Sequence, residues 1–177
     1  MHPEEDIPFL VTEAQRNPAA FAALYDRFLT PVYRYLHSRV GNPVDAEDLT
    51  AQTFLSALER LGNYRENGTF AGWLFAIAHN KLIDHYRREK PQVELDAERG
   101  VPGADDPVRD VEKQLDLEKL STLLRTLNDD EQEIIRLRYV ADLSFAEIAT
   151  TLGKNEDTVK KSLYRLLARV QNQMETR

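Results

Sequence analysis

The sequence predicts an all-α fold: two small helical domains joined by a flexible acidic linker. Three observations predict it. Apolar residues recur three and four apart in most segments, the spacing of one helix face. Helix-start and helix-stop residues bracket those segments. Glycine is scarce, at 7 of 177 residues, and no stretch alternates apolar and polar as a half-buried strand would.

The elements follow in order. Phe21, Leu24, Tyr25, Phe28 and Leu29 fall at helical spacing, and Pro31 is expected to break or bend that helix. Val32, Leu36 and Val40 continue the stripe, and Gly41-Asn42-Pro43 is a stop signal. A second helix runs from Asp45 to Leu61, with Leu49, Leu58 and Leu61 expected in the core. Gly62 to Gly68 reads as a loop, and Thr69 caps a long helix reaching about Glu89. Pro91 to Asp110 holds three prolines, two glycines and many acids but few large apolar residues. Such a stretch cannot offset its ordering entropy, so it reads as the linker. The expected division is 1–90, linker 91–110 and 111–177, with two domains that move independently when free. In the second, Leu115, Leu117, Leu120, Leu123, Leu124 and Leu127 form an apolar face. Asn128 with Glu131, and Ser144 with Glu147, are capping boxes for the next two helices. Gly153 makes a turn, and Asn155 caps a last helix to about Met174.

Composition excludes several classes of function. With no cysteine there is no disulfide, thiolate nucleophile or cysteine zinc site. The longest apolar run, Trp73 to Ala78, is far too short to span a membrane, so no membrane insertion is expected. The acidic start, Met1 to Asp6, does not read as a signal peptide, and the expected compartment is the cytoplasm. No nucleophile–base pair and no phosphate-binding glycine loop is visible, so no enzyme and no cofactor is expected. His79 and His85 are six apart and face different ways. With no carboxylate partner evident, they do not read as a metal site.

The formal charge of −7 argues at first against nucleic acid. Its distribution argues otherwise. Residues 91–118 carry −6, whereas 59–90 carry +2 and 154–177 carry +3. Two mildly basic segments flank an acidic one.

The C-terminal segment has the form of a helix-turn-helix: a short helix, the Gly153 turn, then a longer helix. At about 100° per residue, Val159, Leu163, Leu166 and Val170 share one face and would pack on Ile148, Ala149 and Leu152. Lys161, Tyr164, Arg165 and Ala168 point the opposite way, with Lys160 to the side. Such cations can reach phosphates or guanine edges. The same pattern also fits a helical hairpin with a solvated basic face.

Four stretches in order resemble the extracytoplasmic-function group of bacterial sigma factors, over nearly the whole chain. They are Phe21 to Phe28, Asp45 to Phe54, Tyr64 to Asn80 followed by Asp84 to Arg88, and Leu127 to Arg169. The resemblance implies an alternative sigma factor that binds core RNA polymerase, recognises promoters and assists melting. It implies that Asp45, Asp48, Leu49, Gln52, Thr53 and Phe54 dock on core polymerase. Ala51-Gln52 stands where the family usually has Gln-Glu, which removes a charge from that surface. Tyr64, Arg65, Asn67, Gly68 and Phe70 would form the loop that captures a flipped base of minus-ten DNA. Asn80 would line that pocket, and Arg87 and Arg88 would meet phosphates. Thr158, Lys160, Lys161, Tyr164 and Arg165 would read the minus-thirty-five element. The implied partners are core RNA polymerase, promoter DNA and an anti-sigma protein. The alternative is a stand-alone helix-turn-helix regulator, which would need neither docking helix nor loop.

Overall fold

The structure, a computed structural model, describes residues 7–65, 68–89 and 127–175. The linker 91–110 and the leucine face from Leu115 to Leu124 lie outside them. Among the described residues the chain is helical and has no strand.

Helix α1 (Ile7–Arg16) has no counterpart in the sequence reading above. A short 3-10 turn, Pro18–Ala20, leads from it into α2 (Phe21–Val40). Helix α2 continues through Pro31 as one element, so of the expected break or bend the break does not occur. Tertiary burial outweighs the one lost backbone hydrogen bond: Leu24 and Phe28 before the proline are buried, and so are Val32, Tyr35 and Leu36 after it. Gly41 ends α2 in the left-handed conformation (φ 68°), and its N–H donates to the His37 carbonyl. Asn42 then caps α3 (Pro43–Arg60) by accepting from the Val44 N–H, with Pro43 at the first helical position. After a 3-10 turn (Leu61–Asn63) and the loop comes α4 (Phe70–Glu89). Its start is capped by Thr69, whose hydroxyl accepts from the Gly72 N–H at 3.1 Å.

Both expected capping boxes are present in the C-terminal half. Asn128 and Glu131 open α5 (Asp129–Ile135), which continues as a single π turn, Arg136–Val140. Ser144 and Glu147 open α6 (Phe145–Leu152), closed by left-handed Gly153 (φ 62°). Asn155 accepts from the Asp157 N–H at 2.8 Å and begins α7 (Glu156–Glu175).

The two halves do not stand apart. One apolar core holds Leu24, Val32, Phe75 and Leu82 of the first half together with Ile134, Leu137, Ile148, Val159 and Leu163 of the second. Helix α6 packs along α4, and the π turn packs on α2. The Thr151 hydroxyl donates to the Gly72 carbonyl at 3.2 Å across that boundary. A β-carbon on Gly72 would sit 3.0 Å from Thr150 Cβ and 3.2 Å from the Glu147 carbonyl oxygen. The absence of a side chain there is what lets the two helices approach so closely. In this arrangement the two halves share one core, whereas the sequence leads to an expectation of two domains that move independently when free.

Candidate nucleic-acid interface

Helix α3 has two faces. Ala46, Leu49, Thr50, Thr53, Phe54 and Ala57 are buried. The Thr53 hydroxyl is turned back onto the Leu49 carbonyl at 2.7 Å, and the Phe54 ring packs edge-on against Tyr25 at 4.7 Å. Leu49, Thr53 and Phe54, three of the expected docking residues, therefore build the core beneath the surface. Asp48 is exposed, Asp45 and Gln52 are half-buried, and the Gln52 amide donates to Asp48 at 2.6 Å. Leu58, expected in the core, is instead exposed, as are Val44 and Leu55, which sequence reasoning missed. Their signal was present: Val44, Asp48, Ala51, Leu55 and Leu58 alternate spacings of four and three, a second stripe beside the buried one.

The loop is held from beneath. The Gln15 amide on α1 donates to the carbonyls of Leu61 and Tyr64, each at 3.0 Å. Tyr64 and Phe70 are buried. With Trp73 they form a ring cluster with centroids 4.9 to 5.8 Å apart. These two aromatics therefore support the loop, and its open positions are Arg65, Gly68 and Thr69. Asn67 lies outside the described residues. Asn80 is exposed on α4, but ten residues beyond Phe70 it stands about 15 Å along the helix axis. The structure does not bring it against the loop. Phe75 is fully buried and Trp73 is half-buried.

Arg87 and Arg88 are exposed at the end of α4, where cations suit the helix dipole. Arg87 pairs with Asp84 at 2.9 Å. A groove of about 100 Å³ between α3 and α4 is lined by Asp48, Leu49, Gln52, Lys81, Asp84, His85 and Arg88. It places the expected polymerase-docking side chains beside an expected DNA contact.

The helix-turn-helix has the faces its sequence implies. Val159 and Leu163 are buried in one core with Ile148 and Ala149, and Leu166 is buried on the same face of α7. Thr158, Lys161, Tyr164 and Arg165 are exposed, and Lys160 is half-exposed. Lys160 is already engaged: it pairs with Glu156 at 2.6 Å and lies 5.7 Å from the Phe145 ring centre. The hydrogen bond and charge of Glu156 raise its pKa. Lys161 and Arg165 make no ion pair among those found in the described residues, and the Arg165 Nε–H donates to the Lys161 carbonyl at 3.2 Å.

A buried ionic cluster between the halves was missed altogether. Glu133 of α5 is 4% exposed. Its Oε1 accepts a very short hydrogen bond from the fully buried Tyr35 hydroxyl. His79 Nδ1 lies 3.1 Å from the same oxygen and 3.0 Å from that hydroxyl. A carboxylate only accepts, so Nδ1 carries the proton in this contact. Glu133 Oε2 faces Arg39 Nε at 3.5 Å as an ion pair. The expectation that His79 lacks a carboxylate partner is corrected: the partner is 54 residues away in sequence. Among the described residues no group of three or more His, Asp or Glu is placed to hold a metal ion.

Burial alone would push the Glu133 carboxyl up. The His79 hydrogen bond, the Arg39 charge and the Tyr35 hydroxyl outweigh it and hold the carboxyl below its ordinary range. Burial first, and then Glu133, push the Tyr35 hydroxyl well above its own. Burial and the neighbouring Arg39 lower the pKa of Arg136, the other cation near Glu133. Because the folded value of Glu133 is depressed, its stabilising contribution is complete above the unfolded glutamate range. That contribution is lost as pH falls through the folded value. Urea denaturation at a series of pH values should show this loss, and Glu133→Gln should flatten the acid limb. An unchanged acid limb in that variant would assign the pH dependence to other carboxylates.

A helix-turn-helix with one open basic face is the arrangement that many DNA-binding helical proteins share. The family profile described as Sigma-70 region 2 matches residues 24–92, and Sigma-70 region 4 matches 117–170. The chain is 32% identical over 146 residues to the RNA polymerase sigma factor YlaC of Bacillus subtilis, covering 80% of this chain and 84% of that one. It is 31% identical over 157 residues to the ECF sigma factor SigW of the same organism, covering 82% and 84%. It is 40% identical over 164 residues to the ECF sigma factor BldN of Streptomyces coelicolor, covering 88% of this chain but 61% of BldN. The solved structure of CnrH in complex with the cytosolic domain of CnrY shares the fold, with a TM-score of 0.68 at 24% identity, covering 96% of this chain and 97% of that one. The chain belongs to the extracytoplasmic-function sigma factors of bacterial RNA polymerase and is an alternative sigma factor. No helix among the described residues is long and apolar enough to cross a membrane.

Proposed function

We propose that the chain binds core RNA polymerase through the open stripe of α3, captures melted minus-ten DNA with the loop and α4, and reads the minus-thirty-five element with α7. The observation that carries this reading is the sealed apolar face of α7 opposite an open Lys161, Tyr164 and Arg165, directly after the Gly153 turn. On α3, Asp48 and Gln52 sit among exposed Val44, Leu55 and Leu58. A mixed apolar and acidic strip of this kind suits docking to a protein. Binding energy, not catalysis, is what this arrangement supplies, and the cytoplasm is where polymerase would be met. Domains 1–90 and 111–177 would correspond to the two functions, joined by 91–110. Among solved structures of the same fold, CnrH is in complex with the cytosolic domain of CnrY, and the sigma factor RpoE of Bartonella quintana is in complex with the anti-sigma factor NepR. We extend that kind of partner to this chain.

Run-off transcription with purified core polymerase on a library of genomic promoters tests the reading, since a stand-alone regulator would give no core-dependent start sites. Within it, exchanging residues 64–70 for the loop of another sigma factor should change the preferred base at one minus-ten position. Asn80→Ala should slow open-complex formation more than closed binding if the exposed face of α4 meets the strand only after melting. Permanganate footprinting beside a premelted template measures both. Unchanged base preference in a folded, active exchange variant would remove the loop from base recognition.

A further inference from the structure

We propose that Gln15 of α1 is a positioning residue for minus-ten recognition: its amide fixes the root of the loop that starts at Tyr64, and with it the base that the loop prefers. The inference rests on the base-reading role proposed for that loop above, while the bracing itself can be tested on the free chain.

Helix α1 brings Gln15 to the loop. Val11 and Ala14 are buried, and Ile7 and Leu10 pack against the same core. These residues hold one side of α1 in place. Gln15 follows Ala14 directly, so its stem starts at the edge of the sealed face, and the residue as a whole is exposed. An exposed glutamine ordinarily spends its amide on water. Here both amide hydrogens are committed: Nε2 donates to the carbonyls of Leu61 and Tyr64, each at 3.0 Å. Carbonyls only accept, so the amide nitrogen, not the amide oxygen, must face them.

The two carbonyls bracket the 3-10 turn Leu61–Asn63. The Leu61 carbonyl also accepts the Tyr64 N–H at 3.0 Å, so Gln15 ties together both ends of the turn. Tyr64 then leaves it in an extended conformation, with ψ 132°. That angle sets both where the Tyr64 carbonyl points and where the chain goes next, so a bond to the carbonyl fixes the direction in which the loop departs. Tyr64 passes the constraint on. Its hydroxyl donates to the Gly68 carbonyl at 3.4 Å, and its ring packs on Trp73 and Phe70. Gly68 is exposed and has φ 133°, a conformation that glycine itself does little to hold. The Arg65 guanidinium also donates to the Tyr64 carbonyl, at 3.4 Å, but it belongs to the loop and moves with it. Gln15 is anchored outside. Groups that recognise a ligand must be held to within about 0.5 Å, so loss of this brace should blur base selection before it harms the fold.

Three variants of the full chain separate the outcomes. Gln15→Leu removes the donors at nearly the same size, Gln15→Glu sets oxygen against the carbonyls, and Gln15→Lys restores a donor long enough to reach both. Circular dichroism checks that helical content is kept, as expected for an exposed position. The chain has one tryptophan, and it is Trp73 of the ring cluster. Acrylamide quenching of its fluorescence therefore reports on the loop root in the free chain. Quenching should rise in Gln15→Leu and Gln15→Glu and return in Gln15→Lys. Holoenzyme carrying each variant is then assayed on four premelted templates that differ only at the minus-ten position identified by the loop exchange. Preference for the best base over the next should fall by about two- to tenfold in the first two variants, the net worth of one hydrogen bond, and recover in Gln15→Lys. Equal loss on all four templates, unchanged base preference in folded variants, or unaltered quenching would overturn the positioning role. Should the loop exchange itself leave base preference unchanged, the base-reading role proposed above fails and the positioning role with it, whereas quenching still shows whether Gln15 holds the loop.

Discussion

Phe54→Ala is expected to lower the unfolding free energy by about 3–5 kcal/mol, the range for removing a buried aromatic side chain. Asp48→Arg, six residues away on the same helix, is expected to change it by less than about 0.5 kcal/mol. Phe54 is 5% exposed and makes edge contacts with Phe21 at 6.4 Å and Tyr25 at 4.7 Å. Its removal leaves a cavity between α2 and α3 that neighbouring side chains fill only in part. Asp48 projects into solvent, its carboxylate accepting from Gln52, so arginine there disturbs no packing. Its effect should fall instead on polymerase attachment, where it reverses a charge on the open stripe. Denaturant unfolding followed by circular dichroism measures the first effect, and competition binding to core polymerase the second. The pair separates roles that share one short stretch of sequence. Weakened polymerase binding with unchanged stability in Phe54→Ala would return Phe54 to the docking surface. Unchanged affinity in Asp48→Arg would take the α3 stripe out of it.

What the sequence disclosed was mostly local. Asn42, Asn128 with Glu131, Ser144 with Glu147, Gly41 and Gly153 all act where they stand, because caps and left-handed turns are satisfied within four or five residues. The sealed and open faces of α7 were legible for the same reason, since helical angle alone sorts them. Helix α1 was missed although Ile7, Leu10, Val11 and Ala14 fall at helical spacing. All four lie in or against the core, and that tertiary support is invisible locally. Pro31 does not end the helix because the burial that offsets its local cost comes from α3 and α4. Thr53 and Phe54 were assigned to docking because the resemblance marks a stretch of sequence, not a face of a helix. The Glu133 cluster was the hardest to read: its partners lie 54 and 98 residues away. In isolation Glu133 is one more acid in a helix beginning Asp129-Asp130-Glu131. Only the apposition of the two halves, which no local pattern encodes, turns it into a buried ion.

The loss expected from the double substitution Lys161→Ala with Arg165→Ala is larger still in functional terms. Each residue is exposed on the open face of α7, and a good contact to a base edge is worth about 1–3 kcal/mol. Each should therefore cost between about fivefold and about a hundredfold in minus-thirty-five-dependent transcription. The two are one helical turn apart, so their effects should not simply add. Lys160 is the internal comparison. Its ammonium is paired with Glu156 and rests near the Phe145 ring, so Lys160→Ala should cost less than either neighbour. Folding should be spared, because Val159, Leu163 and Leu166 hold the helix from its other side. The decisive comparison is between a promoter that depends on the minus-thirty-five element and one that lacks it, at fixed salt, since phosphate contacts alone weaken steeply as salt rises. The double variant should fail on the first and retain activity on the second. Equal loss on both would mean that Lys161 and Arg165 serve folding or general attraction to DNA, and the assignment of α7 as the upstream reader would fall.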